Sequence, residues 1–148
     1  MTIPARVLHE QLTHVLRFDF AYNAIQNDSV HNTQATAAAA LALGVQIGTL
    51  PPGAVPITCN AYVDVAFTNG TNNLFSVGLT ATGTDFVNGG SLASKAAVIT
   101  AAPIAAIATA KAATSAAGTP IYLSTNQSGT AAGAGQCTII ITYHPALG

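Results

Sequence analysis

The sequence predicts an all-β protein, built as an antiparallel β-sandwich of about eight strands. Its clearest segments alternate apolar and polar residues, which is typical of strands that place one face on a core. Turn signals containing glycine or proline separate these segments roughly every ten residues. No long helical pattern alternates with the strands, as a fold with a parallel sheet would require.

The first predicted element, residues 1–15, lies outside the sandwich. After Pro4, which the first turn of a helix tolerates, it has apolar residues at helical spacing: Leu8, Leu12 and Val15. From Leu16 the apolar period changes to two, which predicts a half-buried strand. We therefore expect residues 1–15 to form an N-terminal arm or short helix, and residues 16–148 to form a single β-sandwich domain.

The central part of the chain carries the strongest strand pattern. Residues 41–49 are predicted to form a strand that ends at a Pro-Pro-Gly turn. Residues 57–68 alternate, and one set is expected to face the core: Ile57, Cys59, Ala61, Val63, Val65 and Phe67. Asn69 and Gly70 then accept positive φ, so we expect a hairpin with the strand that begins at Leu74, or strands that are near neighbours.

The remaining predicted strands are shorter. Residues 83–90 are rich in glycine and are predicted to form a turn. Further strands are expected at residues 97–100, 104–109, 121–125 and 136–143. The segment 104–109 begins an alanine-rich stretch that could also be helical, and we favour a strand there. Short strands with regular turns favour a jelly roll among the sandwiches.

The small number of charged residues restricts the classes of partner. Asp, Glu, Lys and Arg make up 6% of the chain, against an average of about 25%. The formal net charge of −1 is too small to hold nucleic acid or an anionic membrane electrostatically. Residues 94–118 are rich in alanine and hydrophobic on average, but Lys95, Pro103 and Lys111 interrupt them, so this stretch is not expected to span a membrane. We expect protein partners, with a surface solvated by Ser, Thr, Asn and Gln or covered by another subunit.

No pattern of catalytic or metal-binding residues is found. His9 and His14 are five positions apart, whereas a zinc-binding helix needs four. The other histidines, His31 and His144, have no acidic neighbours to orient them. We expect no metal, no cofactor and no enzymatic activity. Cys59 and Cys137 fall on the inward-facing positions of their strands and are expected to be buried free thiols.

Three segments together resemble known proteins. They are residues 48–54 (GTLPPGA), 61–67 (AYVDVAF) and 69–78 (NGTNNLFSVG), and the likeness extends over about residues 44–143. The chain resembles small virion proteins of tailed bacteriophages, specifically head decoration or cement proteins. This resemblance implies a jelly-roll-like domain, often a homotrimer, that binds the major capsid protein and stabilises the shell.

The resemblance also implies a location on the capsid surface of the virion, after assembly in the host cytoplasm. No secretory leader is recognised in residues 1–17, which agrees with this expectation. The arm is too short to fold alone, so we expect its apolar residues to contact another subunit or the shell. These interface residues are Ile3, Val7, Leu8, Leu12 and Val15.

Two other functions remain open at the level of sequence. A β-sandwich oligomer could equally be a tail, neck or fibre component of a virion, because a fold does not determine a location. A carbohydrate-binding module or adhesin would need an aromatic platform, and only Tyr22 and Tyr62 are candidates in a chain without Trp.

Overall fold

The structure, a computed structural model, describes residues 13–22, 44–68, 72–95, 98–101, 118–128 and 133–145. These residues contain eight strands. They are β1 (His14–Ala21), β2 (Val45–Leu50), β3 (Val55–Val65), β4 (Asn72–Gly78), β5 (Val87–Ser91), β6 (Val98–Ala101), β7 (Thr119–Ser128) and β8 (Gln136–His144).

The strands form two four-stranded sheets. Sheet A has the order β1-β8-β3-β6, and sheet B has the order β2-β7-β4-β5. All paired strands are antiparallel. The first half of the chain pairs with the second half as in one long hairpin, through the successive pairs β1·β8, β2·β7, β3·β6 and β4·β5. Rolling such a hairpin onto itself gives the eight-stranded jelly roll. The predicted fold class, an antiparallel β-sandwich of jelly-roll type, is therefore confirmed.

The core lies between the two sheets, because every second residue of each central strand faces inward. Its largest fully buried side chains come from β2, β3, β4, β7, β8 and the segments around β5: Leu50, Val63, Phe75, Val77, Phe86, Leu92, Ile121, Ile139 and Ile141. Leu16, Phe18 and Tyr22 pack against this cluster from the edge of sheet A. This arrangement follows the period-two pattern predicted for these strands.

Two irregularities change the predicted inward set of β3. The pairing of β3 with β8 shifts between Pro56 and Thr58 and again between Val63 and Val65. Each shift inserts one residue without a partner, and the alternation of faces changes there. As a result Pro56 is buried, whereas Val65, predicted to face the core, is 43% exposed. Cys59, Ala61 and Val63, which lie between the irregularities, are buried as predicted.

The hairpin predicted at Asn69 and Gly70 is wrong, because β3 belongs to sheet A and β4 to sheet B. The chain crosses between the sheets after β3. Phe67 is buried there, and its amide N–H donates to the carbonyl oxygen of Leu92 at 3.0 Å. The Thr68 hydroxyl accepts the N–H groups of Gly133 and Ala134 at 3.1 and 3.2 Å. These contacts direct the chain across the end of the sandwich instead of back along sheet A.

The glycine-rich stretch 83–90, predicted as a turn, includes the start of β5. The sequence pattern did not predict this strand because it contains Gly89 and Gly90, and glycine is depleted in strands. The segment 104–109 and residues 41–43 of the predicted strand 41–49 lie outside the described residues. Within the part of the chain that is described, no helix is long and apolar enough to cross a bilayer.

Candidate functional site

The structure describes one of the five predicted interface residues. Ile3, Val7, Leu8 and Leu12 lie outside the described residues. Val15, which the sequence assigned to the arm, lies in β1, because that strand already begins at His14. Its side chain is 57% exposed. Val15 is therefore available for contacts, but from a paired strand of sheet A.

Both cysteines are free and fully buried in the core, as the sequence predicts. Burial raises the pKa of the Cys59 thiol and that of the Cys137 thiol to about 12. Cys59 pairs with Ile141 and Cys137 with Val63, so the two cysteines lie four residues apart along the ladder, about 13 Å. That separation is too large for a disulfide. The thiols are small core side chains without nucleophilic character.

The described histidines and carboxylates do not form a metal centre. Among the residues that the structure describes, no group of three or more His, Cys, Asp or Glu side chains converges. His14 is exposed at the start of β1, and its ring lies 5.6 Å from that of Tyr143. His9 and His31 fall outside the described ranges.

The two tyrosines that could form a carbohydrate platform lie in different environments. Tyr62 is exposed on β3, whereas Tyr22 packs against the core at the end of β1. The two side chains therefore do not share one open surface. This geometry does not favour the carbohydrate-binding alternative.

The outer face of sheet A is the most distinctive surface of the described residues. Side chains that alternate with the buried ones on β1, β3 and β8 form it: Val15, Arg17, Asp19, Thr58, Asn60, Tyr62, Asp64, Val65, Gln136, Thr138, Ile140 and Thr142. The three exposed large hydrophobic side chains among the described residues, Val15, Tyr62 and Val65, all belong to it. They are spread along this face, because Val15 pairs with Thr142 of β8 and Val65 with Gln136. Exposed apolar side chains confined to one face of a domain favour a protein-binding surface.

The centre of this face is ordered by polar contacts from three strands. Arg17 Nε donates to both carboxylate oxygens of Asp19, at 3.1 and 3.0 Å, and Nη2 adds a third bond at 3.1 Å. Thr138 Oγ1 lies 2.6 Å from Asp19 Oδ1 and 3.2 Å from Asp64 Oδ2. The Thr138 hydroxyl and the Arg17 guanidinium hold the pKa of Asp19 below its ordinary value. Two carboxylates thus converge on one threonine.

This threonine cannot satisfy both carboxylates. A hydroxyl group carries one proton and therefore donates one hydrogen bond at a time. The shorter distance, 2.6 Å, assigns that proton to Asp19. The Asp64 carboxylate is then left facing the hydroxyl oxygen, and no described basic side chain forms an ion pair with it. Asp64 therefore offers a negative charge to the outside of the sheet.

The outer face of sheet B has a different chemistry. None of its four strands contains an Asp, Glu, Lys, Arg or His residue. Its outward positions hold neutral polar residues such as Gln46, Ser76, Ser124 and Asn126, together with the half-buried Leu74 and Tyr122. All ionisable side chains of the described strands, apart from Tyr122 of β7, therefore belong to sheet A. The two outer faces are suited to different surroundings.

Comparison with known proteins shows similarity at the level of the fold. No protein-family model and no curated protein matches the chain. A chain of the structure "Capsid of Ralstonia phage GP4" matches with a TM-score of 0.59 and 18% identity, covering 99% of this chain and 91% of that one. A chain of "Cyanophage Pam1 capsid asymmetric unit" matches with a TM-score of 0.56 and 16% identity, covering 90% of this chain and 84% of that one.

Proposed function

We propose that this protein is a structural component of a bacteriophage virion that decorates the capsid, binding the major capsid protein and stabilising the shell. The observation that carries the proposal is the match, over 99% of this chain, to a chain of a phage capsid structure. The match describes a shared fold, so the function rests on it together with the sequence resemblance and the surface chemistry.

The composition supports a role in permanent assembly. A shell under internal pressure gains from many small apolar and hydrogen-bonded contacts, because these are less sensitive to salt than exposed ion pairs. A chain with 6% charged residues offers such contacts over most of its surface. The neutral outer face of sheet B and the apolar side chains on the outer face of sheet A are consistent with this use.

The proposal includes a homotrimer on the outer surface of the virion, as the resemblance implies, and no catalytic activity. Closed symmetric oligomers are the rule for soluble assemblies, and a trimer would present three copies of each face to the shell at once. Simultaneous binding through three sites raises the overall affinity without new contacts. Among the strands that the structure describes, β1 and β2 lie at the edges of their sheets, where contacts between copies would form.

The experiment that tests the proposal has two parts. Light scattering gives the mass of the purified protein in solution, and sedimentation measures its binding to heads of the encoding phage that lack it. A stable trimer that binds these heads and raises their melting temperature supports the proposal. A protein that is indifferent to heads but present in purified tails would instead favour a tail, neck or fibre component.

A further inference from the structure

We infer that the outer face of sheet A is the surface that docks on the capsid, and that its partner is a protein surface presenting an arginine or lysine among apolar side chains. The basic side chain would bind between Asp64 and Asp19. This inference rests on the proposed function and specifies the chemistry of that contact.

The apolar part of the argument comes from the position of the exposed side chains. Val15 on β1 and Val65 on β3 are 57% and 43% exposed, and Ile140 on β8 between them is half-buried. Contact with a partner would remove this apolar surface from water, which stabilises a complex in proportion to the apolar area buried. On the outer face of sheet B, Leu74 and Tyr122 are half-buried as well, but none of the described large apolar side chains there is exposed.

The electrostatic part of the argument comes from the charged side chains around Thr138. Two carboxylates and one guanidinium meet there, and the guanidinium of Arg17 already makes three hydrogen bonds to Asp19. The cluster therefore keeps one unbalanced negative charge, on the side of Asp64. A cation from a partner would neutralise this charge and supply the donor that the Thr138 hydroxyl cannot give to Asp64.

The described part of a second copy is a poorer source of that cation. Arg17 and Lys95 are the two Lys or Arg residues in the described part of the chain. Arg17 is bound to Asp19, and Lys95 lies beyond β5, outside both sheets. The strands of sheet B contain no basic residue, so stacking sheet B on sheet A would leave Asp64 unpaired. Among the described residues, charge complementarity therefore favours a different protein as the partner.

Two single substitutions test the electrostatic contact. Asp64→Asn removes the charge from the outer face of sheet A. Asp85→Asn is the matched control: Asp85 Oδ2 accepts the N–H of Leu79 at 2.8 Å in the β4–β5 loop, and an amide oxygen can still accept that bond. We expect Asp64→Asn to bind phage heads about tenfold more weakly at 50 mM NaCl, the size of one ion pair of about 1.4 kcal/mol. The Asp85→Asn protein should bind like the wild type.

Salt dependence provides the second readout. Wild-type binding should weaken between 50 and 500 mM NaCl as the ion pair is screened, and binding of Asp64→Asn should change much less. Equal binding of both variants at both salt concentrations would overturn the inference while the proposed function stands. Failure of the wild type to bind heads overturns the proposed function itself. A change in the mass of free Asp64→Asn, without a change in head binding, would identify a second copy as the occupant and overturn the inference.

The apolar contact is tested independently by the double substitution Val15→Thr and Val65→Thr. Threonine is isosteric with valine and also favours strands, so the fold should be retained, which the melting temperature would show. We expect weaker binding to heads with the salt dependence of the wild type intact. Undiminished binding by this variant would contradict the assignment of the face.

Discussion

At the scale of single residues, Gly44 and Gly89 differ in how closely other backbone atoms approach them. Both have positive φ, +67° and +63°. A Cβ atom at Gly44 would lie 1.7 Å from the carbonyl oxygen of Ala81, whereas one at Gly89 would meet nothing within 4 Å. We expect Gly89→Ala to cost about 1 kcal/mol, from the left-handed conformation alone. Gly44→Ala should cost several times more, and urea unfolding of both variants measures the difference. Equal losses of unfolding free energy would show that the backbone around Ala81 shifts at little cost to accommodate a Cβ atom at position 44.

The buried thiols predict a loss of stability at alkaline pH. In the unfolded chain Cys59 ionises near its ordinary pKa of 9.0, whereas in the fold its pKa is raised to about 12. Its contribution to stability is therefore complete below pH 9 and is lost as the pH rises toward 12, because only the unfolded state can release the proton. At pH 10 the loss for Cys59 is about 1.4 kcal/mol.

Urea unfolding at pH 8 and pH 10 checks this expectation. The wild type and Cys59→Ala are compared as differences between the two pH values, so that the cavity made by alanine cancels. The decrease between pH 8 and pH 10 should be smaller in the variant by about 1.4 kcal/mol. Identical decreases in the two proteins would mean that the thiolate is tolerated in the core.

At the scale of elements, the sequence predicted strands well where one face is uniformly buried. The predicted strand 136–143 and the observed β8, Gln136–His144, nearly coincide, because β8 pairs on both sides and buries Cys137, Ile139 and Ile141 at alternate positions. In β3 the same reasoning placed Val65 in the core. The insertion of one residue near Asp64 depends on the pairing with the partner strand. The sequence pattern of β3 alone therefore does not predict it.

The sequence predicts the outward direction of the residues of the candidate site but not their convergence. Alternation alone places Asp19, Asp64 and Thr138 opposite to their buried neighbours, so their outward direction could be inferred from sequence. Their convergence could not, because it requires β8 to lie between β1 and β3. That order follows from the way the whole hairpin rolls up, which local patterns do not determine. The predicted hairpin at Asn69 and Gly70 was wrong for the same reason.

The N-terminal element yields a further prediction about assembly. Since β1 begins at His14, a deletion of residues 2–12 removes no residue of a described strand. We propose that their apolar side chains contact a neighbouring subunit or the shell. Deletion should therefore lower the number of copies on phage heads and leave the melting temperature of the free domain nearly unchanged.

A full-length control separates the role of these side chains from that of chain length. It carries serine in place of four apolar residues: Ile3, Val7, Leu8 and Leu12. If the apolar contacts matter, this variant should lose occupancy on heads as the deletion does. Normal occupancy of the deleted protein would contradict the arm hypothesis.

At the scale of the whole molecule, the outer faces of the two sheets carry different kinds of side chain. Sheet A carries the strand carboxylates, Arg17 and the exposed apolar side chains, and sheet B carries neutral polar groups. A domain that is seated between a shell and water needs such a difference between its sides. Under the proposed function, the outer face of sheet A would meet the shell, and the neutral face of sheet B would be left for solvent or for the other copies of a trimer.

The pairing of β1 with β8 has a practical consequence for engineering. His14 lies opposite Tyr143, so the described chain enters and leaves the sandwich at neighbouring points. A domain with adjacent entry and exit can be inserted into a surface loop of a host protein without forcing the host's flanking segments apart. The jelly roll could thus be carried as a side module on an unrelated scaffold, which would present the outer face of sheet A away from any phage particle.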